Sequence, residues 1–233
     1  MDDEFSKKMR KFAPENLSEE GHYLIIKQET WALLIPQNEM TMAKVYQFMA
    51  DGFEDIEALI PVDVLRRGGV DIKTVSITGS NMVESAHGVV LMTDALFEDV
   101  EDELKDADLL MLPGGMPGAE NLNAHEGLKK ALVAQNEAGK KIAAICAAPL
   151  VLGGLGILEG RRATCYPGFE QTLKGATYTA DLWTTDHNIT TGEGPAAALP
   201  YAYSLLAILV SEEKAREVAE GMRYLHLMAS RML

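Results

Sequence analysis

The sequence has few cysteines, a deficit of positive charge and no apolar run long enough to cross a membrane. Its 233 residues include 2 cysteines, Cys146 and Cys165. That count excludes a C-x-x-C motif, a zinc-ligand spacing and a disulfide framework, and it fits a reducing, cytoplasmic compartment. Lys and Arg number 21 against 35 Asp and Glu, for a formal net charge of −14. A chain this acidic is not built to hold nucleic-acid phosphates or an anionic membrane by charge. No stretch approaches the ~20 apolar residues of a membrane span. No basic start leads into one long apolar stretch, so no secretory signal is read. No repeat or long linker breaks the pattern.

What is present is an ordinary apolar share, 47%, and length enough for a sizeable core. Residues 1–42 read as an N-terminal extension outside the main domain. Met1 to Pro14 is charged and patternless, and two short apolar runs follow, His22–Lys27 and Trp31–Pro36. Either partial order, as a hairpin or short helix, or disorder fits it. Met40 and Met42 precede the first clear strand, which leaves open a start downstream of Met1.

Residues 43–233 read as one α/β domain. Lys44–Met49 is the first strand. Ile56, Leu59, Ile60, Val64 and Leu65 then recur at helical spacing, and Arg66-Arg67-Gly68-Gly69 closes that helix with cations and glycine. Asp71–Ile77 and Ala107–Leu112 are strands, and Val83–Thr93 is a small hairpin turning at Ala86-His87-Gly88. Glu126–Gly139 is an amphipathic helix. Arg162–Tyr166, Leu182–Thr185 and Asn188–Thr191 are later strands, followed by helices over Ala196–Val210 and Glu212–Tyr224. Strands alternating with helices through one apolar core indicate a doubly wound, mostly parallel sheet sandwiched by helices.

The stretch with the most distinctive chemistry is Lys141–Leu150. Ile142–Ile145 reads as a strand buried on both faces. Cys146 ends it, Ala147 and Ala148 follow, and Pro149 suits the first turn of a helix. A nucleophilic residue on a sharp strand-to-helix turn, flanked by small side chains, has the layout of a nucleophile elbow. Helix-start amides aimed at the sulfur would favour thiolate over thiol. The competing reading is a buried core cysteine, and the stretch alone does not choose. In doubly wound sheets ligands bind at the carboxyl ends of strands. Three unusual segments fall at strand ends here: Asp51 to Glu57, Pro113-Gly114-Gly115, and Cys146. Their coincidence favours the reactive reading. The Gly115 and Ala147 amides are candidate oxyanion donors. Gly114 with Gly115 also fits a plain tight turn, but Glu54, Asp55 and Glu57 are too many acids for one helix cap.

These residues carry a resemblance. The motifs A-D-G-F-E-D-I-E, I-P-V-D-V-L-R-R-G-G, L-P-G-G-M-P-G-A-E-N-L, A-A-I-C-A-A-P and T-T-G-E-G-P stand in the order found in the ThiJ/PfpI superfamily. Within it the chain resembles the branch of the Parkinson-disease protein deglycase. The resemblance implies a flavodoxin-like fold of the class I glutamine amidotransferase type and a homodimer. It makes Cys146 the elbow nucleophile, Glu57 its acidic partner, and Gly115 and Ala147 the oxyanion amides, with Gly114 beside them. It implies glyoxalase or deglycase activity on methylglyoxal-type aldehydes or their early glycation adducts, with no cofactor and no metal. A redox sensor or holdase chaperone using the same cysteine is the alternative function, because both need a reactive thiol.

The sequence also departs from the family. Where many members carry histidine in a T-H-P context, this chain has Cys165-Tyr166-Pro167, so Tyr166 offers only a hydroxyl. Ala147 stands where protease-like members place histidine, which argues against a Cys-His peptidase. His87 lies where relatives often carry an arginine near the dimer interface. It reads equally as a residue reaching the partner subunit's site and as an exposed hairpin histidine. Cys165 reads as a buried strand cysteine.

Overall fold

The structure, a computed structural model, describes residues 42–230. The reading of residues 1–41 as an extension lies outside them. Seven strands form one sheet: β1 (Lys44–Met49), β2 (Asp71–Ser76), β5 (Ala95–Leu96), β6 (Leu109–Leu112), β7 (Lys141–Ile145), β10 (Trp183–Asp186) and β11 (Ile189–Gly192). Their order across the sheet is β10-β11-β7-β6-β1-β2-β5. Every neighbouring pair is parallel except β10 with β11 at one edge. The chain runs from β1 outward to β2, then returns to place β6 on the other side of β1. The reversal makes the carboxyl ends of β1 and β6 a topological switch point.

β6 and β7 are apolar at nearly every position because each face is covered, and β1 departs from this inside the strand only at Gln47. Tyr46, Phe48, Leu110, Leu112, Ile142 and Ala144 enter one core, and Val45, Leu109, Met111, Ala143 and Ile145 enter the other. The period-2 alternation of strand side chains makes that division. The first core is completed by α3 (Gly118–Ala124), α4 (Glu126–Glu137) and α5 (Pro149–Gly154). The second is completed by α1 (Asp55–Arg67), α6 (Ala198–Leu209) and α7 (Glu212–Gly221). The short α2 (Phe97–Val100) adds Phe97 and Val100 to the first core. This is the flavodoxin-like sandwich that the motif order implied.

Most expected elements are present, and the departures have local causes. The strand expected over Arg162–Tyr166 pairs only as β8 (Arg162–Ala163) with β9 (Thr177–Tyr178). Beyond it the Thr164 amide donates to Thr191 Oγ1 at 2.8 Å and the Tyr166 amide to the Cys146 carbonyl at 2.9 Å, so neither serves a ladder. The last helix breaks after Gly221. Arg223 sits at φ 64°, and a separate helix α8 (Tyr224–Ala229) follows. The hairpin is β3 (Met82–Glu84) with β4 (Val90–Met92). Helix α1 keeps Ala58, Val62, Val64 and Leu65 buried, whereas Ile56 and Leu59, which recur at the same helical spacing, are 45% and 43% exposed. Among the described residues no helix is long and apolar enough to cross a membrane.

Gly153 in α5 shows how closely the first core packs. A Cβ there would collide with the backbone carbonyl oxygen of Thr172. Backbone yields less easily than a flexible side-chain end. Gly153→Ala is therefore expected to destabilise the domain by about 1–3 kcal/mol despite alanine's better helix propensity. Urea unfolding of the variant against wild type measures the difference.

Candidate active site

Cys146 follows β7 directly and has φ 65°, the left-handed region that a non-glycine residue adopts only when its surroundings hold it. They do so here through the main chain. The Cys146 amide donates to the Gly192 carbonyl at the end of β11 at 2.9 Å, and its carbonyl accepts from Tyr166. Pro149 begins α5 at its first position. The strained turn lifts the side chain to the carboxyl edge of the sheet, and the residue stays 8% exposed.

Glu57 reaches the same point from α1. Its side chain has no exposed surface. Oε2 accepts from the Gly114 amide at 3.0 Å, and the carboxyl lies near enough to the Cys146 thiol for each to shift the other's ionisation. Glu57 is placed by its own helix start. Glu54 is the N-cap of α1, and its Oε2 accepts the Glu57 amide at 2.7 Å. The Glu54 amide donates to the Gly114 carbonyl at 3.0 Å, tying this loop to the one after β6.

Glycine is required where these loops meet. A Cβ on Gly114 would lie 2.5 Å from Glu57 Oε2 and 2.6 Å from Cys146 Cβ. Gly115 has φ 91°, and a Cβ there would collide with the Glu54 amide nitrogen. Gly194 allows the Tyr166 ring to close in, since a Cβ there would stand 3.0 Å from Tyr166 Cδ2 and 3.9 Å from Glu57 Oε1. The amides of Gly115 and Ala147 are directed at the Cys146 sulfur. They form a cradle of two main-chain donors beside the thiol.

Electrostatics couples the two groups. Burial lifts the Glu57 carboxyl from 4.5 to about 7. The neighbouring Cys146 thiol works against that rise, the Glu54 charge adds to it, and the Gly114 amide opposes it. Burial, then the Glu57 charge, pushes the Cys146 thiol up, and the Gly115 and Ala147 amides only partly offset this. The sequence alone favoured a depressed thiol pKa, because helix-start amides are visible there and desolvation is not. With Glu57 ionised, the direction is upward. A charge on either group disfavours a second charge on its partner, so the pair retains one proton after the first is lost.

The DJ-1/PfpI family matches residues 43–208. The chain belongs to the DJ-1/PfpI family. Protein DJ-1 homolog B of Arabidopsis thaliana is 36% identical over 92% of this chain, which spans 48% of that protein's length. A protein of Pyrococcus abyssi named a deglycase is 32% identical over 57% of this chain and 78% of its own. The structure of oxidised Toxoplasma gondii DJ-1 superposes with a TM-score of 0.74 at 34% identity, covering 77% of this chain and 97% of that one.

In this DJ-1/PfpI chain Cys146, Glu57, Gly114, Gly115 and Ala147 converge on one point, and Tyr166 flanks it, 46% exposed. His87 does not join them. It sits on the β3–β4 turn with its Nδ1 2.6 Å from Asp55 Oδ2 in its own chain. The ring atoms and the Glu54 and Asp55 carboxylates lie within 4.8 Å of one another, close enough to share a divalent cation. Cys165 is fully buried, as expected, though outside a strand. The three acids of the β1–α1 loop thus have three separate contacts: Glu54 with an amide, Asp55 with His87, Glu57 with the thiol. Nothing in their spacing distinguishes those roles. The glycines of T-T-G-E-G-P were visible only as a motif, and their crowding against Tyr166, Ile145 and Tyr201 appears only in space. Beside the site, a groove of about 580 Å³ runs past Asp51, Met82, Ser85, Met116 and Pro117, and neither Cys146 nor Glu57 lines it.

The raised carboxyl has a consequence for stability. Between 4.5 and about 7 the folded chain binds more protons at Glu57 than the unfolded chain. This contribution is therefore fully present below pH ~4.5 and lost as pH rises through ~7. Wild type should lose up to about 3 kcal/mol relative to Glu57→Gln across that window. Urea midpoints of both proteins from acid to neutral pH measure the difference. Parallel curves would contradict a buried ionisable Glu57.

Proposed function

We propose that the chain is a cofactor-independent glyoxalase- or deglycase-type enzyme acting on methylglyoxal-like 2-oxoaldehydes or their early glycation adducts. The observation carrying this reading is the contact between Cys146 and a fully buried Glu57 beside the Gly115 and Ala147 amides. The deglycase name of the Pyrococcus relative supports the substrate class.

In the proposed reaction the thiolate sulfur adds to the aldehyde carbon, and the protonated Glu57 gives its proton to the resulting oxyanion. The hemithioacetal then loses its carbon-bound proton to the Glu57 carboxylate, and the electron pair moves to form an enediol. Glu57 returns a proton to the adjacent carbon, which leaves a thioester of the 2-hydroxy acid. Water cleaves the carbon–sulfur bond, releasing the acid and restoring the thiol. The sum is one aldehyde plus one water to one hydroxy acid, so no external oxidant or reductant is needed. The oxidised state of the Toxoplasma relative favours a second use of the same sulfur as a peroxide-sensitive switch.

A homodimer completes the proposal. Ile56 and Leu59 on α1 and Met82, Val90 and Met92 on the hairpin are exposed apolar side chains suited to an interface. The expected solution mass is about twice 25.4 kDa, measured by light scattering.

The decisive test of mechanism pairs turnover with labelling. Glu57→Gln should reduce lactate production from methylglyoxal by ~10²–10⁴ while Cys146 still reacts readily with iodoacetamide, because an amide donates a hydrogen bond but cannot shuttle protons. Turnover within threefold of wild type, the estimate set against that ~10²–10⁴ loss, would remove Glu57 from the proton pathway.

A further inference from the structure

Two polar atoms behind the nucleophile are buried and have no hydrogen-bond partner: Glu57 Oε1 and the Tyr201 hydroxyl. Tyr201, on α6, is the largest of the fully buried side chains. Its helix packs against α1 in the second core, and its ring lies against the Gly192 turn that holds the Cys146 amide. The two atoms are chemically complementary. An ionised carboxylate only accepts and a phenol donates, so each supplies what the other lacks. Burying both without a partner is costly, which is why buried hydroxyls are almost always bonded.

We infer that Tyr201 is a positioning residue for Glu57, its hydroxyl donating to Oε1 across one buried water, while Oε2 stays with the Gly114 amide. This deepens the Cys146–Glu57 reading and rests on it. Burial, then the Glu57 charge, raises the Tyr201 phenol, so it remains a proton donor at working pH. The other groups facing Glu57 are accounted for. Glu54 of its own loop adds negative charge, Cys146 shares its proton, and the Tyr166 ring flanks it beyond Gly194. A third buried orphan, Gln47 Oε1, lies on β1, where the Gln47 amide nitrogen already donates to the Ala58 carbonyl at 2.8 Å. Asp55 Oδ1 and Thr164 Oγ1 are the other buried atoms left unpartnered among the described residues.

The singly protonated pair exists as two tautomers, and Tyr201 stabilises only the one with Glu57 ionised and Cys146 protonated. Removing the hydroxyl weakens that tautomer and leaves the thiolate form unchanged. The test is the pH–rate profile of Cys146 alkylation by iodoacetamide in wild type and Tyr201→Phe, a change that keeps the ring in the core. The acid limbs should overlay. The variant's midpoint should move up by about one unit and its plateau rate should rise about tenfold, since both report loss of the same donor. A purely structural role for Tyr201 would not move the midpoint and plateau together. On a Glu57→Gln background the Tyr201→Phe change should have no effect, which isolates the coupling. Superimposable profiles for wild type and Tyr201→Phe would overturn the inference. If Glu57→Gln itself left the wild-type profile unaltered, the shared-proton pair would fail first, and the inference with it.

Discussion

A carboxyl group with no exposed surface lies against a thiol that is almost as deeply buried, and the local architecture follows from keeping those two groups together. Neither side chain reaches the other from an ordinary loop. Cys146 must accept a left-handed backbone to turn off β7, a strain of about 1–3 kcal/mol that only a fixed frame sustains. Gly114 must lack a Cβ because both partners occupy that space. Glu57 must leave α1 in its first turn, where the Glu54 cap fixes the helix start.

The sheet supplies the frame. Placing β6 and β7 beside β1 brings three loops from distant parts of the chain to one edge, each anchored by a strand buried on both faces. The main-chain bonds from Glu54 to Gly114 and from Cys146 to Gly192 bind those loops to one another. The chemistry then depends on a dry setting. Water around Glu57 would restore an ordinary carboxylate, the thiol would lose its proton-sharing partner, and the site would be left with an unassisted cysteine. Desolvation therefore raises both groups, and the shared proton turns those two penalties into an acid–base pair.

Much of this was legible in the chain before any coordinates. Short apolar runs identified β6 and β7, because central strands covered on both faces carry few polar residues, whereas β1 and β2 stood out despite Gln47, Lys73 and Thr74. Ala147, Ala148 and Pro149 marked the elbow through size and φ preference. Other features carry no such mark. β5, β8 and β9 are two residues each, too short for a period to show. Ile56 and Leu59 fit a helical stripe as well as the buried residues do, and only the docking of α1 turns them outward. The thiol's direction was misjudged because amide dipoles can be inferred from a helix start, whereas desolvation depends on the whole fold. Tyr201 looked like one more apolar-helix residue. Its approach to Glu57 depends on how α6 rotates against α1, which no spacing within either helix fixes.

The shared proton is the central claim, and carbon-13 labels at the Glu57 carboxyl and the Cys146 β-carbon test it most directly. Followed by NMR through one pH series, both carbons should report a single common apparent pKa between about pH 5 and 9, with one proton released by the pair. Two independent steps, near ~4.3 for the carboxyl and ~8.5 for the thiol, would contradict the account.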